Sequence, residues 1–208
     1  MRIAVLGTGN IGGTLGAKWA AAGHRVVFGA RDPGSPKTRA ALGTAGAGAQ
    51  VDTPAGAVAG AEVVVFAIPG AAMAETVGAL GAGLNGKIVI DTTNQFGQPT
   101  INAIAAIAAA APQATIVRAF NSLGWENFAE PVADGVQVDL LYCGPDGAAR
   151  EVAERLIADI GLRPVRVGDL AQAPLVDNVG ALWVALVFGQ KLGRRLSFKV
   201  LAPGESGQ

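Results

Sequence analysis

Short apolar runs and longer helical segments alternate along most of this chain, with turn-forming residues between them. Strands that alternate with helices predict a mostly parallel sheet with helices on both faces. The predicted strands are Arg2 to Leu6, Val26 to Phe28, Glu62 to Ala67, Lys87 to Asp91, Thr115 to Phe120, Val136 to Tyr142 and Arg163 to Val167.

The first strand runs directly into a glycine-rich turn and a small-residue helix, and a second strand follows. The turn is Gly7-Thr8-Gly9-Asn10-Ile11-Gly12. In this context Gly7 permits a tight turn, Gly9 lets a pyrophosphate approach the backbone, and Gly12 lets the helix pack closely on the strand. Free N–H groups at the helix start favour phosphate. We therefore predict a doubly wound α/β sheet of the Rossmann type that binds a dinucleotide.

The end of the second strand indicates which nicotinamide cofactor binds. An NAD site places an acidic side chain here for the ribose 2′-OH, whereas this chain has the small, neutral Ala30. Arg31 follows and offers a planar fork to a 2′-phosphate, and Lys37 and Arg39 add positive charge nearby. These residues favour NADP. Asp32 is the alternative ribose ligand if the strand ends later, and an ordinary surface charge is the alternative interpretation of Arg31.

Ligands of open parallel sheets bind outside the carboxyl ends of the strands. Two further loops are predicted there, and both follow apolar strands. Ala67, Ile68 and Pro69 are expected to form an apolar wall, and Asn94 and Asn121 to hydrogen-bond the carboxamide or the ribose. Simple turn formation is the alternative role for both asparagines.

The composition excludes several classes of function. The chain has 208 residues, with 16 basic and 16 acidic side chains, so no charge excess indicates a nucleic acid or an anionic membrane. The lone histidine, His24, is predicted to be structural, and the lone Cys143 to lie in the core. Tyr142 has no lysine four residues later, so no Tyr-x-x-x-Lys acid/base pair is present. No metal cluster or serine nucleophile machinery is indicated.

The chain also lacks a predicted span of the membrane. Its most membrane-like run, Val179 to Phe188, is shorter than the ~20 residues that cross a bilayer, so we interpret it as part of a buried helix over residues 171–190. No signal-peptide pattern is present, and a cytoplasmic location is expected. Residues 203–208 are predicted to be a frayed tail.

These motifs resemble the NADPH:F420 oxidoreductases, that is, the F420-dependent NADP oxidoreductase family, and are similar to the cytoplasmic domain of membrane ferric reductases. The resemblance covers nearly the whole chain. It depends on residues 1–32, Phe66 to Pro69, Ala119 to Ser122 and Gly161 to Pro164. The chain is predicted to comprise an NADP-binding Rossmann domain over residues 1–135 and a small C-terminal α/β extension over residues 136–208 that packs on it. The resemblance implies a homodimer formed through the apolar C-terminal helix.

The resemblance also implies roles for single residues. Thr8, Gly9, Asn10 and Ile11 would hold the pyrophosphate, and Arg31 with Lys37 the 2′-phosphate, with Ala30 where the family often has serine. Ile68 and Pro69 would line the cofactor, and the loop from Asn121 to Trp125 would face a deazaflavin. This loop lacks the histidine and proline of the archaeal members.

The sequence therefore predicts an oxidoreductase that transfers hydride between NADP(H) and a small-molecule acceptor of the flavin or deazaflavin type, foremost coenzyme F420. The missing acid/base pair supports this, because alcohol oxidation needs a proton acceptor and transfer between stacked rings does not. Two alternatives remain open. One is an NADPH-dependent reductase or dehydrogenase of another small substrate, and the other is a non-catalytic NADP-binding redox module.

Overall fold

The N-terminal apolar runs form six parallel strands in the computed structural model, which describes residues 1–202. The predicted frayed tail lies outside the described residues. The strands are β1 (Arg2–Leu6), β2 (Arg25–Gly29), β3 (Ala49–Asp52), β4 (Val63–Phe66), β5 (Ile88–Asp91) and β6 (Thr115–Arg118). Their order across the sheet is β3-β2-β1-β4-β5-β6. This doubly wound order reverses direction at β1, where dinucleotides bind.

Two C-terminal strands extend the same sheet. After a small hairpin of β7 (Val132–Ala133) and β8 (Val136–Gln137), β9 (Asp139–Cys143) pairs antiparallel with β6, and β10 (Arg163–Gly168) pairs parallel with β9. The result is an eight-stranded, mostly parallel sheet. The predicted fold class is confirmed. The predicted boundary between residues 135 and 136 stays a prediction; it falls in the turn of the hairpin.

Helices cover both faces of the sheet, as parallel strands require. They are α1 (Asn10–Ala21), α2 (Pro36–Ala45), α3 (Pro54–Ala59), α4 (Met73–Leu80), α5 (Ile104–Ala110), α6 (Trp125–Ala129), α7 (Ala148–Asp159) and α8 (Ala173–Val184), with α8 continued by a π-helical turn over Ala185–Gly189. One apolar core, rich in aromatic residues, lies under α1, α6, α7 and α8, and a second lies under α3, α4 and α5.

Three local predictions were wrong or incomplete. The predicted strand from Val136 to Tyr142 divides at Val138 into a hairpin strand and a sheet strand. Strand β3 was missed because Ala49–Asp52 carries little apolar surface, and a strand at the sheet edge needs little. Helix α6 was missed because five residues are too few to show a helical period.

The last helix matches the predicted helix over residues 171–190 in length and in position to within one residue. Leu170–Gly189 forms 20 helical residues with a mean hydropathy of 1.4, so by length and composition alone it reaches the range of a membrane span. Of its most apolar stretch of 18 residues, 33% is buried. The inner face carries the buried Asp177 and Trp183, and the Asp177 carboxylate is ion-paired with Arg118 at the end of β6. One face of the helix therefore packs into the protein, and the buried helix expected from the sequence holds for that face only.

The lone histidine, His24, and the lone cysteine, Cys143, are both buried in the protein. His24 is buried at the amino-terminal edge of the sheet, far along the strands from their carboxyl ends, and its Nε2 lies 2.7 Å from Oδ2 of Asp159. Burial raises the pKa of the Cys143 thiol to about 11, so the thiol is protonated at neutral pH. Neither arrangement contradicts the structural roles expected from the sequence.

Asp139 anchors the C-terminal segment. Its buried carboxylate accepts hydrogen bonds from Arg163 Nε (2.7 Å), Lys199 Nζ (2.9 Å) and the backbone N–H of Val200 (2.7 Å). Burial alone would raise the pKa of this carboxyl, but the hydrogen bonds and positive charges outweigh burial and lower it. Residues 199 and 200 are thereby fastened to β9 and β10.

Candidate functional site

The carboxyl ends of the parallel strands meet at one edge of the sheet. Leu6 pairs with Gly29 and Phe66, Phe66 pairs with Asp91, and Asp91 pairs with Arg118. Because the registers align, the loops after these strands share one rim. An open cleft of about 1300 Å³ lies along it.

The glycine turn forms the middle of this cleft. Gly7 has φ +109°, and a Cβ on it would lie 2.4 Å from the Ala67 carbonyl oxygen; a Cβ on Gly12 would lie 2.1 Å from the Gly7 carbonyl oxygen. Neither position therefore accepts a side chain. At Gly9 the nearest heavy atom to a Cβ is Lys37 Nζ, at 3.7 Å, so the space in front of it belongs to the cleft.

Helix α1 begins at this turn with unused hydrogen-bond donors. Gly9 is its N-cap and contributes no side-chain cap, and the first turn carries no acidic residue. The first backbone N–H groups and the positive end of the helix dipole therefore face the cleft without a protein anion. This is the arrangement that binds phosphate at a helix start. Asn10 and Ile11, in the first turn, line the cleft as well.

The loop after β2 presents a single guanidinium. The strand ends at Gly29, the buried Ala30 donates its N–H to the Asp52 carbonyl (3.0 Å), and Arg31 is the first exposed residue. Asp32, the alternative ribose ligand, instead accepts the Gly34 N–H on its own carboxylate (3.0 Å) and so closes a turn. The early strand end and this turn both support the interpretation that favours NADP.

A threonine that sequence reasoning missed joins the Arg31 loop to the glycine turn. The buried Thr38 hydroxyl donates to the Asp32 carbonyl (3.2 Å), accepts from Ser35 Oγ (2.9 Å) and lies 3.4 Å from Thr8 Oγ1. Ser35 also caps α2, because its Oγ accepts the Thr38 N–H (3.2 Å). The two loops are therefore held in one relative position.

The apolar wall lies where it was predicted. The segment Ala67-Ile68-Pro69 follows β4 and lines the cleft beside the glycine turn. The Ile68 Cγ2 lies 3.1 Å from the position that a Cβ of Gly7 would occupy. This segment is apolar and packs directly on the turn, so it offers a surface for a ring rather than for a charge.

A buried guanidinium organises the neighbouring loops. Arg118, at the end of β6, is fully buried; its Nε donates to Asp177 Oδ1 of α8 (2.8 Å), and its Nη1 lies 3.4 Å from Asp91 Oδ2. The same Nη1 donates to the Thr93 carbonyl (2.6 Å), and Nη2 donates to Asn94 Oδ1 (2.8 Å). Arg118 thus fixes the loop after β5 and the inner face of α8 together.

The two predicted asparagines are part of this network. Asn94 lines the cleft, accepts from Arg118, and donates its amide to the Asn121 carbonyl (2.8 Å). Asn121 is buried; its amide lies 3.4 Å from Asp177 Oδ1, and its Oδ1 has no partner in residues 1–202. The loop-forming role weighed from the sequence is therefore present, and cofactor contacts by either residue stay a prediction.

A smaller cavity of about 220 Å³ opens beside the cleft. Asn121 lines this cavity and not the cleft itself. The residues that line both spaces are Ile11, Asn94, Phe96, Trp125 and Arg194, so cleft and cavity are continuous. The rest of the cavity wall comes from the loop before α6 and from α8.

The structure brings most predicted site residues together. Those that line the cleft are Gly7, Thr8, Gly9, Asn10, Ile11, Ala30, Arg31, Lys37, Ala67, Ile68, Pro69 and Asn94. Gly12 lies beneath the turn instead, where it allows close helix packing. Trp125, at the end of the loop that the resemblance implied, lines both spaces, whereas Trp183 and Arg194, which come from separate segments, were missed. The sequence did carry a signal of the buried ion-pair network: Arg118 is a charged residue at the end of the apolar strand β6.

The chain is similar in sequence to a described protein family and to individual proteins. The sequence profile of the family described as "NADP oxidoreductase coenzyme F420-dependent" matches residues 2–95. The F420-dependent NADP reductase of Methanothermobacter thermautotrophicus is 30% identical over 207 aligned positions, which cover 89% of each chain.

Two further relatives differ in how much of their length is matched. Metalloreductase STEAP3 of Rattus norvegicus is 27% identical over 186 positions; these cover 86% of this chain but only 36% of STEAP3. A crystal structure from Arthrobacter sp. FB24, described provisionally as an F420-dependent NADP reductase, superposes with a TM-score of 0.83 at 26% identity and covers 97% of this chain and 100% of that one.

The buried network generates a stability prediction. Arg118→Met should lower the free energy of unfolding by about 3–5 kcal/mol, because it leaves the Asp91 and Asp177 carboxylates without their buried cation. Urea unfolding followed by circular dichroism measures this change. The matched control is Arg155→Met: Arg155 is 66% exposed and lies 3.7 Å from Asp159, so its loss should cost less than about 1 kcal/mol. Equal effects of the two substitutions would contradict the assigned role.

Proposed function

This chain belongs to the coenzyme F420-dependent NADP oxidoreductase family and is an NADP-dependent oxidoreductase, and from that premise we propose that it transfers hydride between NADP(H) and a flavin-type acceptor, foremost coenzyme F420. The cleft would hold NADP(H), and the adjoining cavity would hold the ring of the acceptor.

One observation carries this proposal: the composition of the cavity wall. Its twelve lining residues include no Asp, Glu, His, Lys, Cys or Tyr, and Arg194 is the single charged residue among them. A site that reduces a carbonyl or oxidises an alcohol needs a group that exchanges a proton with the reacting oxygen. Hydride transfer between two rings needs the rings held in contact and shielded from water. The cavity wall lacks a proton-exchanging group of those types, and its apolar and aromatic side chains offer surfaces on which a ring can stack.

The cleft fits the dinucleotide. The uncapped N–H groups of α1 would hold the pyrophosphate in the open space before Gly9, with Lys37 Nζ beside it. Arg31 would hold the 2′-phosphate. When bound, NADPH supplies a hydride, the acceptor takes it together with one proton from solvent, and NADP⁺ is left.

The chain itself positions and shields the two ligands. Ile11 and Trp125 line both cleft and cavity, so they would lie at the junction of the two spaces, and Ile68 adds apolar surface on the cleft side. The backbone of the loop after β5 is fixed by Arg118, and this keeps the junction in one shape. A preorganised, largely apolar junction lowers the entropic cost of aligning two rings.

Reduction assays test the choice of acceptor. Anaerobic mixing of the protein with NADPH and coenzyme F420 should bleach the oxidised deazaflavin absorbance with multiple turnovers, and parallel assays contain FMN or FAD. Turnover of cyclic imines or hydroxy acids, with none of these three, would replace the proposal with reduction of another small substrate. Tight NADPH binding without turnover of any acceptor would indicate a non-catalytic redox module.

Cofactor preference should depend on Arg31. Arg31→Ala should weaken NADPH binding by about 1.5–3 kcal/mol through loss of charge-assisted contacts to the 2′-phosphate, and should leave NADH binding nearly unchanged. Isothermal titration calorimetry measures both affinities. Arg39→Ala is the matched control, because Arg39 donates to the Gly34 carbonyl in the same loop but does not line the cleft. Equal loss of both cofactors would indicate a folding defect instead.

We also propose that the protein is a homodimer in the cytoplasm. Leu175 and Leu182 of α8 are 53% and 50% exposed and lie seven residues apart, so they share one helix face and leave an apolar surface for a second copy. Multi-angle light scattering should give a mass of two chains, and Leu182→Glu should reduce it to one. A one-chain mass for the unchanged protein would contradict the dimer.

A further inference from the structure

Arg194 occupies an unusual place at the mouth of the acceptor cavity. It lines both the cleft and the cavity, and its side chain is 44% exposed. The guanidinium carbon lies 5.5 Å from the centroid of the Trp183 ring and 5.6 Å from that of Phe188, within the range of cation–π contacts. The two rings meet edge to face at 6.0 Å. Arg194 is therefore stacked on the wall of the cavity.

The backbone around Arg194 is fixed as well. Asn127 Nδ2 donates to the carbonyls of Arg194 (3.4 Å) and Leu196 (3.2 Å), and Trp183 Nε1 donates to the Leu196 carbonyl (2.9 Å). A Cβ on Gly124 would lie 3.0 Å from the Arg194 carbonyl oxygen, so the loop before α6 packs directly against this segment. These contacts hold Arg194 at the cavity although it lies in an irregular segment.

One edge of the Arg194 guanidinium donates hydrogen bonds to a carboxylate, and the opposite edge has no such partner within residues 1–202. Nε and Nη2 donate to the two carboxylate oxygens of Glu126. Within residues 1–202, Nη1 of Arg194 has no hydrogen-bond partner. Arginine presents five donors in a rigid fork, so Glu126 orients the group and leaves donors for another anion.

The size of the cavity determines where such an anion would lie. Its volume of about 220 Å³ is below the roughly 300–1,000 Å³ of pockets that enclose whole drug-sized ligands. A ring system can enter it, but a side chain on that ring has to leave through the mouth. Arg194 lies where the cavity opens, because it lines the border with the cleft and its side chain is also 44% exposed.

We propose that Arg194 is a specificity-determining residue that binds an anionic group, a phosphate or a carboxylate, on the side chain of the hydride acceptor, and that Glu126 positions it. This inference rests on the proposed function and adds to it the residue that would recognise the anionic group attached to the ring of the acceptor. A neutral acceptor with the same ring would fill the cavity but leave the guanidinium without its ligand.

Matched pairs of acceptors test this. One pair is FMN and riboflavin, and the other is coenzyme F420 and its deazaflavin core without the phosphodiester tail. With NADPH as donor, the unchanged protein should show a higher kcat/KM for the anionic member of whichever pair it reduces. Arg194→Gln should lower kcat/KM for the anionic member by about 10- to 100-fold. It should change kcat/KM for the neutral member by less than about twofold, because that member makes no charge-assisted contact.

Two more variants separate recognition from structure. Arg194→Lys keeps the charge and should retain part of the preference for the anionic acceptor. Lys191→Gln removes a nearby exposed charge that lines neither space and should leave both members unaffected.

The outcomes distinguish this inference from the proposed function. If no flavin or deazaflavin is reduced, the proposed function is wrong. If these acceptors are reduced but the anionic and neutral members react equally well, only the role of Arg194 is overturned. An equal loss for both members in Arg194→Gln also overturns it, since that result indicates a stacking or packing role.

Discussion

The ion pairing of Arg118 with Asp91 and Asp177 is the interaction on which the site depends. Three charges buried from water carry a large desolvation cost, which is offset only when geometry and additional hydrogen bonds are good. Here Asp91 also accepts from Thr93 and from the Ala103 N–H, and Asp177 accepts from Asn102. The network is therefore satisfied from several sides, and it joins the half of the sheet that would hold the cofactor to the helix that walls the cavity.

This placement explains how two ligand spaces share one rigid border. Loops at the carboxyl edge of a sheet are free to differ in conformation unless something fixes them. The guanidinium of Arg118 binds the backbone carbonyls of Asp91 and Thr93 directly, so the loop after β5 is held by its main chain. The border between cleft and cavity then has one shape before any ligand arrives, which is the condition for productive alignment of two rings.

The sequence allowed prediction of what is local. The glycine turn, the strand before it and the helix after it lie within 21 residues, so their roles followed from spacing alone. The partners of Arg118 lie 24 to 59 residues away, and those of Arg194 lie up to 68 residues away. Such contacts depend on how the sheet and α8 assemble, and no local pattern encodes them. Strand β3 escaped notice for a different reason, since an edge strand with little apolar surface has almost no periodic signal.

The hydroxyl of Thr38 has a consequence for attempts to alter the cofactor. Because it contacts both the loop of Arg31 and the side chain of Thr8, the residues proposed to hold the adenosine end and the diphosphate end of the nucleotide are linked to each other. A redesign that favours NAD(H) should therefore change only side chains that point into the cleft. A substitution that breaks the hydrogen bonds of Thr38 would weaken the binding of NAD(H) and NADP(H) alike.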